Sequence, residues 1–197
     1  LTVVNSGTGE HNVALLDRFG NEGVIVEDVT VRTEGAGLNN YGIFLNSYGV
    51  IDFNQVTSHA ENGSSENAAF YGHLGPVATI RGGSYTASGG NTTYGIYGDF
   101  TGFYIYDATV TGQDGSGENH GLYSTNDCEV TLYGGAFTGS GGAKAYGIHH
   151  GNQGPYLPIL EAKGIHTQGD GATDVNVGFY NHSGANAVLH SATIEGY

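Results

Sequence analysis

Apolar positions along this chain come in runs of three to six, separated by Gly, Ser, Asn, Asp and Thr, and the runs recur at a nearly constant spacing. One column, Leu1, Val29, Val56, Tyr85, Val110, Phe137, Ile165 and Ile194, returns at intervals of 25 to 29 residues. A second, Val24, Ile51, Ile80, Ile105, Leu132, Leu160 and Leu189, lies five residues before an anchor in seven cases out of seven. Between anchors a small residue is followed by an apolar one and then usually by an aromatic: Ala14-Leu15-Leu16, Gly42-Ile43-Phe44, Ala69-Phe70-Tyr71, Gly95-Ile96-Tyr97, Gly121-Leu122-Tyr123, Gly147-Ile148-His149 and Gly178-Phe179-Tyr180. A period in this range marks a solenoid or a propeller, in which each unit buries its apolar face only against its neighbours.

Helical periodicity is absent. Within one unit, Tyr94-Gly95-Ile96-Tyr97, Phe103-Tyr104-Ile105-Tyr106 and Thr109-Val110-Thr111 read as three short strands, broken at Gly98-Asp99, Asp107-Ala108 and Gly112-Gln113-Asp114-Gly115. A propeller blade needs four antiparallel strands in about 40 residues or more, and the Leu and Asn pattern of leucine-rich repeats is missing. The pattern therefore predicts an all-β, right-handed parallel β-helix solenoid of about seven rungs, each of three short strands. Rungs rise about 4.8 Å apart and stack like on like, Ile43 over Leu15 and Ile96 over Phe70.

The Tyr-Gly-Ile-Tyr motif followed by an apolar-Thr pair resembles the right-handed parallel β-helix repeat proteins of the pectate-lyase-like superfamily, over essentially all 197 residues. The resemblance implies that fold and an extracellular, secreted or cell-surface setting. It leaves activity open, because the architecture carries lyases, hydrolases, epimerases, tailspikes, adhesins and inert shafts.

An unbroken ladder from Leu1 to Ile194 leaves no linker, so one elongated domain over 1–197 is expected. Leu1-Thr2-Val3-Val4-Asn5-Ser6-Gly7 aligns without a gap to Val29-Thr30-Val31-Arg32-Thr33-Glu34-Gly35, and Thr193-Ile194-Glu195 closes on the same strand. Two expectations follow: a segment of a longer repeat array, or open ends that stack head to tail into a filament. Net charge is −14, with five Lys and Arg against 19 carboxylates, which disfavours nucleic acid and anionic lipid. No stretch approaches the roughly 18 apolar residues of a membrane span. Cys128 is the sole cysteine and reads as a packed or corner residue.

No catalytic residues can be assigned. Arg18, Arg32, Arg81, Lys144 and Lys163 form no basic cluster in the column alignment, and the column Arg18, Asn46, His73, Asp99, Thr125, Gly151, His182 holds one acid among unlike residues. Asn126-Asp127-Cys128 and Tyr146-Gly147-Ile148-His149-His150 only approach the polygalacturonase and alginate-epimerase patterns. His149 and His150 should face opposite ways, and with His73 and His182 they read as solvated histidines, so no metal site is assigned. Acids recur in the Gly-rich corners (Glu10, Glu34, Glu61, Glu66, Asp114, Glu118, Asp170, Asp174), which leaves calcium open as an option. Two corners lack any acid, and no cofactor is predicted. Thr30, Thr57, Thr86, Thr111 and Thr138 read as a ladder too irregularly flanked for an ice-binding array.

The best functional claim belongs to the outward aromatics. Alternation sends Phe44, Tyr71, Tyr97, Tyr123, His149 and Tyr180 outward beside the Gly and Ala column, which would leave a shallow track on which sugar rings could stack. Cross-strand pairing that merely stabilises the ladder is the competing explanation. The reading is a non-catalytic structural or adhesive shaft, whose partners are a polysaccharide or cell-surface glycan and further copies of itself, end to end or side by side. The alternative is a carbohydrate-active β-helix: a polysaccharide lyase, a hydrolase or a phage-type depolymerase.

Overall fold

The computed structural model describes residues 1–18, 20–35, 37–152 and 157–197. Among these there is no helix, and 22 strands form three parallel sheets wound into a β-solenoid of about seven turns. The first sheet contains Thr2–Asn5, Thr30–Thr33, Thr57–Glu61, Ser84–Ser88, Thr109–Gln113, Ala136–Ser140, His166–Asp170 and Thr193–Gly196. His11–Asp17, Asn39–Asn46, Glu66–His73, Thr92–Asp99, Glu118–Thr125, Lys144–Gly151 and Val175–His182 make the second. The third holds Glu22–Glu27, Val50–Asn54, Val77–Arg81, Gly102–Tyr106, Glu129–Tyr133, Ile159–Lys163 and Asn186–His190. Ile43 pairs with Leu15 and Ile96 with Phe70, as the repeat predicts.

The corner from the third sheet to the first is always two residues long. Its first residue is left-handed in every turn: Asp28, Gln55, Gly82, Asp107, Gly134, Gly164 and Ser191, with φ between 51° and 71°. Each of these except the last donates its N–H to the carbonyl of a residue on the rung above, from Asp28 to Asn54 O at 3.1 Å up to Gly164 to His190 O at 2.9 Å. The ladder thereby satisfies a backbone group that a bend would otherwise orphan. The other two corners vary in length, which spreads the repeat over 25 to 30 residues.

This constant corner corrects the anchor columns. In the first sheet the stacked file is Val3, Val31, Ser58, Tyr85, Val110, Phe137, Thr167, Ile194. Leu1, Val29, Val56 and Ile165 belong instead to the inward position two residues earlier. The third sheet shows the same two-residue exchange: Val24, Ile51 and Leu160 stack with Ala78, Phe103, Val130 and Ala187, whereas Ile80, Ile105, Leu132 and Leu189 stack with Val26, Phe53 and Ala162. Both positions face the core; at some rungs a large side chain in one accompanies a small one in the other, as with Leu160 and Ala162, and at others both are large, as with Ile51 and Phe53 or Phe103 and Ile105. The five-residue offset survives because both columns change places at the same rungs, across a corner of fixed length. The threonine ladder divides likewise into Thr2, Thr30, Thr57 and Thr86, Thr111, Thr138.

Phe53, Phe70, Phe103, Phe137 and Tyr85 fill the interior with stacked Ile, Leu and Val. Cys128 is buried and unpaired, with its thiol pushed up to about 12 by burial. The Tyr85 hydroxyl is buried without a hydrogen-bond partner. Tyr85→Phe should therefore stabilise the fold by about 1 kcal/mol, since it deletes an unsatisfied polar group and keeps the ring. A urea midpoint at or below that of the parent chain would contradict this.

A largely buried file, polar except at Ala145, closes the corner between the first and second sheets: Asn12, Asn40, Asn67, Thr93, Asn119, Ala145, Asn176. Asn67 accepts from Gly63 N at 2.9 Å and donates to Gly63 O at 3.1 Å and to Gly89 O, one rung up, at 3.0 Å. Asn119 repeats this with Gly115 at 2.8 and 3.0 Å and Gly141 O at 2.9 Å, and also accepts from Thr93 Oγ1 at 2.7 Å. One amide thus satisfies two consecutive Gly-rich corners, which lack the side chains to do it themselves.

Candidate functional site

The strands of the second sheet do not alternate throughout. In Thr92–Asp99 the inward residues are Thr93, then both Gly95 and Ile96, so the strand bends at the glycine and Tyr94 emerges on the same side as Tyr97. The glycine column is therefore interior. A Cβ on Gly121 would lie 2.5 Å from Gly147 O and 2.6 Å from Thr138 N. The shallow track expected beside the aromatics does not exist, because this column is pressed against the first sheet and a second aromatic file stands outside.

The outer file brings together all six predicted residues. Above Leu16 stand Phe44, Tyr71, Tyr97, Tyr123, His149 and Tyr180, one per rung. Tyr71 and Tyr97 stack at 4.5 Å and 15°, Tyr97 and Tyr123 at 5.4 Å and 30°; Tyr123–His149 and His149–Tyr180 meet edge-on at 4.7 and 4.9 Å. Beside it runs the file missed from the sequence: Val13, Tyr41, Ala68, Tyr94, His120, Tyr146, Val177. His120 lies between Tyr94 (5.1 Å, 17°) and Tyr146 (5.0 Å, 9°). The two files interlock, with Tyr94 5.0 Å from Tyr97 and Tyr146 5.0 Å from His149. Tyr97 and His120 thus have both ring faces covered by neighbours along the axis, and Tyr97 meets solvent at its edge. Exposure rises to 38% only at Tyr180.

Charge on this face is sparse and held in place. Tyr41 Oη donates to Glu66 Oε1 at 2.8 Å, and burial raises the Glu66 carboxyl above the usual range. Two rungs up, Glu118 receives Lys144 Nζ at 2.7 Å and lies 3.3 Å from His120 Nε2. The hydrogen bond from His120, with help from Lys144, holds Glu118 down to about 2. Burial lowers the His120 imidazole, so a neutral ring donates Nε2–H to an ionised carboxylate. His149 is pushed down to about 3, by burial first and His120 second, and the Nδ1 atoms of both rings are buried without a hydrogen-bond partner. Burial also raises the Tyr71 phenol to about 12 and lifts Tyr41, Tyr94 and Tyr97 well above the usual phenol range.

Burial corrects the solvated reading for His149 and His150, while His182 is exposed as expected. His149 and His150 do face opposite sides, but His150 is fully buried, with Ser124 Oγ 2.8 Å from Nδ1 and Asn186 O 3.2 Å from Nε2. The carbonyl can only accept, so Nε2 carries the proton and Ser124 donates to Nδ1. His73 Nδ1 lies 2.9 Å from Asp99 Oδ2, and Asn126 Nδ2 donates to Asp99 Oδ1, which ties down that column's single acid. Arg32 pairs with Glu34 and Glu61, and Arg81 lies 5.1 Å over the Tyr106 ring, so the cations stay dispersed. Among the described residues no three His, Cys, Asp or Glu side chains converge as a metal site would require.

Two concavities open on the aromatic face. One, of about 440 Å³, is lined by Asn5, His11, Val13, Leu16, Arg18, Tyr41, Phe44, Tyr71 and His73. The other, of about 360 Å³, includes Glu118, His120, Lys144, His149, Tyr180 and His182. The arrangement offers ring edges, hydroxyls and imidazoles in a row with a repeat set by the rungs. No family model matches this chain, and neither a curated protein nor a solved structure matches it.

Proposed function

We propose that this chain is a non-catalytic extracellular β-helix shaft, akin to the pectate-lyase-like repeat proteins, that binds a polysaccharide or cell-surface glycan along its aromatic face. The observation that carries this is the continuous outer file from Phe44 to Tyr180, half-buried over most of its length and fixed by a second file beside it. Amphipathic rings with polar tips suit a surface that is apolar on one side and wet on the other. Because the Tyr97 faces are occupied, hydroxyls and ring edges supply the contacts, and a chain of sugars would meet one such group per rung, about 4.8 Å apart.

Tyr97→Phe keeps the stack and deletes one polar tip. On this reading it weakens retention of a bound neutral polysaccharide in affinity electrophoresis by about threefold to tenfold, the worth of roughly one hydrogen bond, with the melting temperature held. Unaltered retention across a panel of neutral polysaccharides removes the reading. A second reading, a glycoside hydrolase, draws on Glu66 and Glu118: two rungs set their backbones about 9.6 Å apart, and their environments drive their pKa values in opposite directions. Release of reducing ends in the same incubations would favour it.

A further inference from the structure

The 440 Å³ concavity differs in kind from the rest of the aromatic face. It opens where both files step down in size, from Phe44 to Leu16 and from Tyr41 to Val13, so the missing ring volume becomes a pocket with an apolar floor. Leu16 is 46% exposed there, with Phe44 and Tyr71 as a wall. Arg18 stands on its rim and, among the described residues, no carboxylate lies within ion-pair reach of it. Arg32 and Lys144, by contrast, are each neutralised by glutamates. His11 and His73 complete the polar lining; His73 is engaged by Asp99 through Nδ1 only.

We infer that this pocket binds a single terminal acidic sugar: a carboxylate on the Arg18 guanidinium, with the less polar side of the ring and any N-acyl group against Leu16, Val13 and Phe44. The inference rests on the glycan-binding reading of this face and narrows it from a chain along the row to an end group at its foot. A planar guanidinium takes a carboxylate through two parallel hydrogen bonds, and a pocket of this size with few polar groups is the usual form of a small-ligand site. Charge limits the ligand to one anion. The chain carries −14, and above Arg18 the face presents Asp99, Glu66 and Glu118, so a polyuronate laid along it would meet repulsion at successive rungs.

The test is saturation-transfer NMR with free monosaccharides on the whole chain, using N-acetylneuraminic acid, glucuronic acid and N-acetylglucosamine, with competition to rank affinities. The two acids should bind in the millimolar range or tighter and the neutral sugar at least tenfold more weakly. Preference between the acids reports whether the apolar floor takes an N-acyl group. Arg18→Gln should weaken both acids at least tenfold without changing the melting temperature, since Arg18 is exposed and bears no pair. Arg18→Lys should restore only part. Equal affinity for all three sugars, no binding of either acid, or an Arg18→Gln variant as good as the parent overturns the inference. Tyr97→Phe separates the two proposals: it should leave acid binding unchanged while weakening polysaccharide retention. Retention that persists in a chain unable to bind either acid would sink the pocket and spare the face.

Discussion

Acidification from pH 7 to pH 3 should cost this fold several kcal/mol, most of it before the carboxylates titrate. His120, His149 and His150 all have their pKa values lowered by burial, His149 to about 3, while in the unfolded chain each titrates near its ordinary 6.5. Folded pKa values below unfolded ones mean that the unfolded chain binds more protons. The stabilisation is therefore complete above about pH 6.5 and drains away as pH falls towards the folded values. His149 alone contributes about 3 kcal/mol of this dependence once its partial exposure is discounted. Glu118, held down to about 2 by His120 and Lys144, adds a second loss below its ordinary 4.5, and Glu66, raised by burial, works in the opposite sense. Melting curves followed by tyrosine near-ultraviolet dichroism at pH 7, 5 and 3.5 should show a steep fall, and His149→Gln should flatten it. A melting temperature constant between pH 7 and 4.5 would show that these imidazoles are not held neutral in the folded chain.

Asn119→Ala should destabilise the protein by about 4 kcal/mol, more than any single apolar truncation at the surface. It strands Gly115 N, Gly115 O, Gly141 O and the Thr93 hydroxyl in a corner whose glycines cannot rearrange to pair them. Thr93→Ala removes one bond from the same network and should cost about 1 kcal/mol. Urea denaturation gives the comparison, and hydrogen exchange at Gly115 and Gly117 should accelerate in the first variant only. Equal midpoints for the two variants would mean that water fills the amide's place without loss.

The repeat was legible because its largest signals are inward apolar residues, which the ladder forces into register. What periodicity could not reveal is which of two inward positions a residue occupies: Val56 and Ser58 face the same core, and a sequence alignment prefers the valine. The second aromatic file was hidden for a different reason. Strict alternation puts Tyr94 with Ile96, and only the bend at Gly95 returns it to the side of Tyr97. Its signal was present in the first tyrosine of Tyr-Gly-Ile-Tyr. The asparagine ladder was equally visible, two residues before the small position at Asn12, Asn40, Asn67, Asn119 and Asn176, but a corner amide has no apolar pattern to announce it. The burial of His150 leaves no trace in the sequence, because nothing in its neighbours betrays Ser124, 26 residues away and one rung below.

The two-residue bend between the third and first sheets leaves length variation to the other two corners, and both of these border the second sheet. The corners between the first and second sheets already use that freedom, with five residues at 6–10 and three at 89–91. Loops on either flank of the aromatic face can therefore grow, shrink or be replaced rung by rung while the bend resets the phase of every turn. The aromatic face of such a molecule is free to diversify against a backbone that never changes step.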